Sequence, residues 1–295
     1  MKLPIVIISY KSIALLENCL SNLGNNREIL IIENSDFPEL KEKIEKKFQN
    51  CKVIINKNND GYGKAANLGF QQLKSKYVFI LEPDIIISNK QLVDIENEIL
   101  NCDEDFALAT PIFDDLIDFN NNNNFDSDLN SKDLRINNNE NKTKIDLIKG
   151  CSLIINLEKF ENKNVFDENF FFFYEDIDLC KRVKKMKENI FVFNKIKIFH
   201  EGARGVSNNI NENYNDFRNW NFFWSKYYYH KKHYGYNSAL IKHVSKLIRF
   251  SFNCLRFYFF SKNQYRKNKY RFLGLVSSIL NIKSSRSNEI LNKKE

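Results

Sequence analysis

The chain has 295 residues, 43% of them hydrophobic, with nine glycines and four prolines, so it can bury a full core in one large or two small domains. Its six cysteines stand singly, with no CxxC pair and no metal-ligand spacing, which argues against a disulfide scaffold or structural zinc and for a reducing compartment. The net charge of +8 is uneven: residues 1–221 carry 29 Lys+Arg against 35 Asp+Glu, whereas residues 222–295 carry 16 against 2.

Leu3–Ser9 opens the chain as a short buried strand, which leaves no room for a cleavable leader, and no uninterrupted apolar run is long enough to span a bilayer. Helical spacing follows over Ser12–Leu23, then an apolar strand over Glu28–Ile32. The alternation repeats: helix over Pro38–Phe48, strand over Lys52–Ile55, helix over Gly63–Leu73, strand over Tyr77–Leu81, helix over Asn89–Leu100. Such βαβ units predict a mainly parallel sheet with ligands beyond the carboxyl ends of its strands.

Those ends are polar. Ser9 and Tyr10 follow the first strand, Glu33-Asn34-Ser35-Asp36 the second, Asn56–Gly63 the third and Glu82-Pro83-Asp84 the fourth. Each alone is ordinary loop or cap chemistry; together they describe one polar rim. Asn58–Phe70, NNDGYGKAANLGF, fits neither GxGxxG nor GxxxxGK[ST], but an Asn/Gly turn entering a helix brings backbone N–H groups close to a nucleotide or sugar. Glu82 and Asp84 end a strand with one residue between them, which suits a hard divalent cation such as Mg²⁺ or Mn²⁺, or else a solvated acidic turn.

Residues 114–145 break the alternation with an Asn-rich stretch too polar to bury, read as a mobile excursion, either a lid or a low-complexity insertion. KGCSLIINLEKF restores a strand entering a short helix. Val165–Arg182, VFDENFFFFYEDIDLCKR, then places Glu175, Asp176 and Asp178 directly after four phenylalanines and a tyrosine, at the start of a helix running to about Lys187. An acidic first turn complements the helix dipole, and three carboxylates also supply acid–base chemistry. Ile190–Ile198 alternates as a strand and delivers His200 in FHEGARGVS.

The C-terminal region, 222–295, mixes rings and cations. On a helix, Lys242, Lys246, Arg249 and Arg256 share one stripe and Leu240, Val244, Leu247 and Leu255 another. No nucleic-acid fingerprint accompanies them. A basic amphipathic helix on anionic lipid competes with helices packed on the rest of the chain or on a second copy.

Taken in order, IVIISY, Glu33-Asn34, NNDGYGKAANLGF, LEPD, KGCSLIIN, FDENFFFFYEDIDLCKR and HEGARGVS resemble glycosyltransferase family 2, in particular its rhamnosyltransferase-like members, over roughly residues 3–207. The resemblance implies an α/β GT-A-type Rossmann-like domain over 1–221 and an inverting transfer from a nucleotide-diphosphate sugar, dTDP-rhamnose first, to a glycan or lipid-linked acceptor in bacterial surface polysaccharide synthesis. It places Ser9, Tyr10, Glu33 and Asn34 around the nucleoside and Asp60, Gly61 and Asn67 near the donor. Asp84 would hold the metal with help from His200, and Asp176 would be the base, with Glu175 and Asp178 within one turn. Glu82 and Glu33 depart from the family's commoner Asn and Asp. The expected setting is the cytoplasm, at the inner membrane face. A non-catalytic sugar-nucleotide-binding or scaffold subunit is the alternative class.

Overall fold

The computed structural model describes residues 2–114, 116–121, 125–129, 136–137, 139–200 and 212–292. The chain forms two compact units, one of Met1–Asp60, Lys64–Asp167 and Asp176–Val206, the other of Gly61–Gly63, Glu168–Glu175 and Ser207–Glu295.

The first unit runs β1 (Ile5–Ser9), α1 (Ile13–Leu23), β2 (Ile29–Glu33), α2 (Pro38–Lys47), β3 (Cys51–Ile55), α3 (Tyr62–Gln71), β4 (Tyr77–Leu81), β5 (Ile85–Ile86) and α4 (Asn89–Leu100). It continues with β6 (Leu108–Ile112), α5 (Leu116–Asn121), β7 (Lys142–Lys144), β8 (Ser152–Asn156), α6 (Glu175–Lys185), β9 (Ile190–Lys197) and β10 (Phe199–His200). The first residues of α3 and α6 are grouped with the second unit. The main sheet has the order β3-β2-β1-β4-β8-β6-β9-β7. β3, β2, β1 and β4 pair in parallel, as the alternation predicts, and so do β6 and β9. β8 is antiparallel to both neighbours and β7 is antiparallel to β9.

Every residue of β1, β2 and β8 is buried, because both sheet faces are covered; that is why these strands read as unbroken apolar runs rather than alternating ones. α4 is tied to the sheet by a buried ion pair: Arg27 lies 2.6 Å from Glu96, which also accepts from the Leu3 N–H at 2.8 Å. α4 begins with a capping box between Ser88 and Gln91.

The Asn-rich stretch departs from its reading as a polar excursion. Leu116, Asn120, Asp126 and Leu129 are buried, and Lys181 of α6, itself buried, pairs with Asp126 at 3.2 Å and with Asp128 at 2.5 Å. A paired lysine lets a polar segment pack where unpaired acids would stay in water. The rest of that stretch, 115, 122–124, 130–135 and 138, lies outside the described residues, as does the EGARGVS sequence after His200.

The second unit is helical: α7 (Glu212–Tyr234), α8 (Tyr236–Tyr258), α9 (Lys262–Ile279) and α10 (Asn288–Leu291). The compositional boundary at residue 221 falls inside α7, so the change of charge does not coincide with a change of structure. Phe223 and Tyr227 of α7, Ala239 and Phe250 of α8 and Leu275 of α9 form one core cluster. α7 and α9 meet at Gly274, where a Cβ would stand 2.1 Å from the Trp220 carbonyl oxygen. The phenylalanine run joins a second cluster, with Phe217, Trp220 and Trp224 of α7: Phe171 packs on Phe217, Phe170 on Tyr228, and the Ser225 hydroxyl donates to the Phe172 carbonyl at 3.0 Å. Phe173 and Tyr174 both take left-handed backbone conformations, φ 70°, held in place by rings of α7 around them.

Candidate active site

The acids at the end of β4 are presented by a turn. The Glu82 N–H donates to the Cys151 carbonyl at 2.9 Å, and the Ile85 N–H to the Glu82 carbonyl at 3.1 Å, with Pro83 at the position whose fixed φ a β-turn favours. β5 follows at once and pairs antiparallel with β10, setting His200 opposite Ile85. That register carries the histidine beside the acids. His200 Nε2 lies 3.6 Å from Asp84 Oδ2, and one donor atom from each of Glu82, Asp84 and His200 falls within 4.8 Å of the others.

Asp84 is buried, and its Oδ1 accepts no hydrogen bond among the described residues. An uncompensated buried carboxylate oxygen costs free energy unless a cation meets it. Two carboxylates and an imidazole fit a divalent ion such as Mn²⁺ or Mg²⁺. Burial, then the neighbouring Asp84 charge, pushes the Glu82 carboxyl up to about 7. The hydrogen bond to Asp84 raises the His200 imidazole above its ordinary value.

Asp176, in the first turn of α6, accepts from the Gly150 N–H at 3.1 Å and from its own neighbour Ile177 at 2.8 Å. Burial raises its carboxyl above the usual carboxylate range, while those N–H groups and the Lys149 charge oppose the rise. A Cβ at Gly150 would stand 3.3 Å from the Asp176 Cβ, so the glycine allows the close approach.

Lys149 is the residue that sequence reading missed. Its ammonium lies 5.9 Å from the Phe113 ring, which stands edge-on to His200 at 6.3 Å, and its charge acts on Glu82, Asp176 and His200 alike. A cation directly before Gly150 in KGCSLIIN was the available signal.

A second polar group gathers the ends of β1, β2 and β3. Glu33 is fully buried; its Oε1 accepts from the Lys11 N–H at 2.9 Å and from the Ser35 hydroxyl. Asn34 bridges Asn59 at 3.0 Å and Asn56 at 2.8 Å, and its Oδ1 also accepts from the Asp60 N–H at 3.3 Å. Asp60 completes the set with Asn56 at 3.2 Å and Lys64 at 3.5 Å. Ser9 is buried beside it, its carbonyl accepting from the Asn34 N–H at 2.8 Å, while the Tyr10 ring is exposed.

Three expected site residues also have structural partners. Asn67 is buried, donates to the Phe166 carbonyl at 2.9 Å and accepts from the Val165 and Phe166 N–H groups at 3.1 and 3.0 Å, clamping the segment ahead of the phenylalanine run. Gly61 has φ 88°, and a Cβ there would meet the Phe171 carbonyl oxygen at 2.5 Å, which explains the glycine by packing. Asp178 is wholly buried and paired with Arg182 of the same helix at 2.8 Å. Glu175 is half-buried and belongs to the second unit.

Known proteins share this architecture. A hexosyltransferase of low-salt glycan biosynthesis, Agl10 from Haloferax volcanii, is 24% identical over 213 residues, a match that spans 64% of this chain and 63% of that protein's length. Among solved structures, the mannosyltransferase PcManGT from Pyrobaculum calidifontis, in complex with GDP-Man and Mn²⁺, superposes with a TM-score of 0.58 at 11% identity, covering 95% of this chain and 87% of that one. Residues 1–349 of S. aureus TarS superpose with a TM-score of 0.50 at 14% identity, covering 95% and 92%. At these identities the superpositions establish the fold. The sequence model described as glycosyl transferase family 2 matches residues 5–159, more than half of the chain, and the chain belongs to that family.

Proposed function

We propose that the chain transfers a hexosyl unit from a nucleotide-diphosphate sugar to a glycan or lipid-linked acceptor, with inversion, in the assembly of a surface polysaccharide. The observation that carries this reading is the Glu82–Asp84–His200 cluster at the end of β4, with a buried Asp84 oxygen that has no hydrogen-bond partner among the described residues, in a family 2 chain.

Asp84, His200 and Glu82 would hold the cation, and the imidazole donor favours Mn²⁺ over Mg²⁺. When bound, the ion supplies Lewis-acid neutralisation of the departing diphosphate. The remaining work falls to side chains. Lys149 adds a second positive charge beside the acids, where diphosphate oxygens gather. The polar network of Glu33, Asn34 and Asp60 offers hydrogen-bonding groups to the nucleoside, with the exposed Tyr10 ring beside Ser9 as a stacking surface. Asp176 accepts the proton of the attacking hydroxyl; burial makes it a stronger base than a surface carboxylate, and the Gly150 and Ile177 N–H groups fix its direction.

Mn²⁺ and GDP-mannose occupy the solved mannosyltransferase, which supports a metal-dependent donor site of this kind. The test is a thermal-shift screen of dTDP-rhamnose, GDP-mannose and UDP-sugars with and without Mn²⁺, followed by turnover of any donor that stabilises the protein. Stabilisation by one donor only when Mn²⁺ is present, with release of its nucleoside diphosphate on adding acceptor, is expected. A protein that binds a donor but never turns it over is a sugar-nucleotide-binding subunit instead.

A further inference from the structure

Helix α8, Tyr236–Tyr258, has two apolar sides, only one of which has work to do inside the fold. Ala239, His243 and Phe250 face inward and are buried. On the opposite side Ile241, Val244, Ile248, Phe252 and Leu255 are exposed, and Phe259, just past the helix end, continues the row. At 100° per residue these six fall within an arc of about 80°, a stripe about 27 Å long. The exposure is large: 75% at Ile241, 67% at Ile248, 74% at Leu255 and 81% at Phe259. Tyr258 and Phe260 extend it at the α8–α9 connection.

This face differs from the one that periodicity alone suggests. Leu240 and Leu247 are half-buried, so the exposed stripe is rotated toward Ile241 and Ile248. Of the four stripe cations, Lys246 is half-buried and burial lowers its pKa, whereas Lys242, Arg249 and Arg256 are exposed, seven residues apart along one edge of the apolar row. No acid occurs in α8.

We propose that this face of α8 lies on the anionic surface of a lipid bilayer, Ile248, Phe252 and Leu255 entering the acyl boundary and Lys242, Arg249 and Arg256 meeting the headgroups. The charge decides the occupant. A second copy packed α8 against α8 would set three more cations against these, with no acid on either helix to answer them. An anionic bilayer supplies the opposite charge and an apolar layer at the depth the stripe needs. No described helix is long and apolar enough to cross a membrane, so the contact is with the interface. Aromatic residues 258–260 at one end suit the headgroup level. The proposal deepens the reading of a lipid-linked acceptor, which it would bring within reach, and it is testable without donor or acceptor.

The test is co-sedimentation of the full chain with vesicles of phosphatidylcholine, alone or mixed equally with phosphatidylglycerol. Parent protein should bind the mixed vesicles and release them as salt rises. Replacing Lys242, Arg249 and Arg256 together by Gln should weaken partitioning on the order of 100-fold, since each basic group near the surface contributes about fivefold. Replacing Ile248, Phe252 and Leu255 together by Ser should weaken it at least as much, and these exposed changes should leave melting and the Mn²⁺ thermal shift unaltered. Parent protein that ignores mixed vesicles overturns the proposal, as does a serine variant that still binds like the parent. A parent dimer in size-exclusion chromatography that the serine changes dissolve also overturns it, assigning the face to a second copy. Asp84→Asn should sediment like the parent, so loss of donor binding and loss of lipid binding are read separately.

Discussion

Replacing Asn67 by Ala distinguishes a structural clamp from a donor contact. Asn67 is 1% exposed, and its carboxamide donates to the Phe166 carbonyl and accepts from the Val165 and Phe166 N–H groups. The Val165 N–H has a second acceptor in the Lys163 carbonyl at 3.1 Å, so the loss concentrates on Phe166. Removing bonds to groups that stay buried costs about 1–3 kcal/mol each, and with the small void left behind the variant should lose about 3 kcal/mol. For a unit of this size each kcal/mol lowers the melting temperature by roughly 2–4 °C, so calorimetry should show a fall of about 6–12 °C. Nucleotide-sugar affinity, measured well below melting, should stay within a few fold. Asn67→Asp keeps the two acceptor bonds but sets a buried carboxylate oxygen against the Phe166 carbonyl, and should melt at least as low as the alanine variant at neutral pH. A melting temperature within about 2 °C of the parent, together with lost donor affinity, would refute the clamp and return Asn67 to the donor site.

Asp84→Asn should abolish Mn²⁺-dependent donor binding in calorimetry with the fold intact; unchanged binding would remove Asp84 from the site. Asp176→Asn cannot take a proton and sets an amide against an N–H of Gly150 or Ile177, so transfer should fall roughly 10²–10⁴-fold with donor affinity nearly unchanged, read in a turnover assay. Glu96→Ala strands the buried Arg27 guanidinium and should cost about 3–5 kcal/mol in denaturant unfolding, whereas loss of an exposed pair such as Arg286–Glu289 should cost less than about 1 kcal/mol. His243 is fully buried 2.8 Å from His230; burial, then the charges of Lys246, His230, Lys226 and Lys242, lowers it to about 3. Folding therefore loses stability as pH falls from about 6.5 toward 3, where the unfolded chain binds the extra proton, by on the order of 2 kcal/mol between pH 7.5 and 5. His243→Gln should flatten that slope in melts across the range.

The sequence by itself determined the strands and helices of residues 3–100, because buried parallel strands and their covering helices leave an unbroken apolar run and a 3.6-residue period that local chemistry produces. It likewise placed Asp84, Asp176 and His200 at element ends, since polar residues after apolar strands have few other uses. The family resemblance put His200 with Asp84, but only the tertiary structure showed how they meet. The β5–β10 register that sets His200 beside Asp84 joins segments more than a hundred residues apart, and nothing in either segment encodes the pairing. The direction of β8 and the placement of β6 and β7 were equally silent, because a strand's partner is chosen by the whole sheet. The partners of Asn67 and Asp178 were equally hidden, because a short motif shows residue type and not which neighbours the fold brings to it. Helix periodicity showed that α8 has apolar and basic sides, but the turn of the helix about its axis, which buries Phe250 and exposes Ile248, is set by what α7 and α9 pack against it.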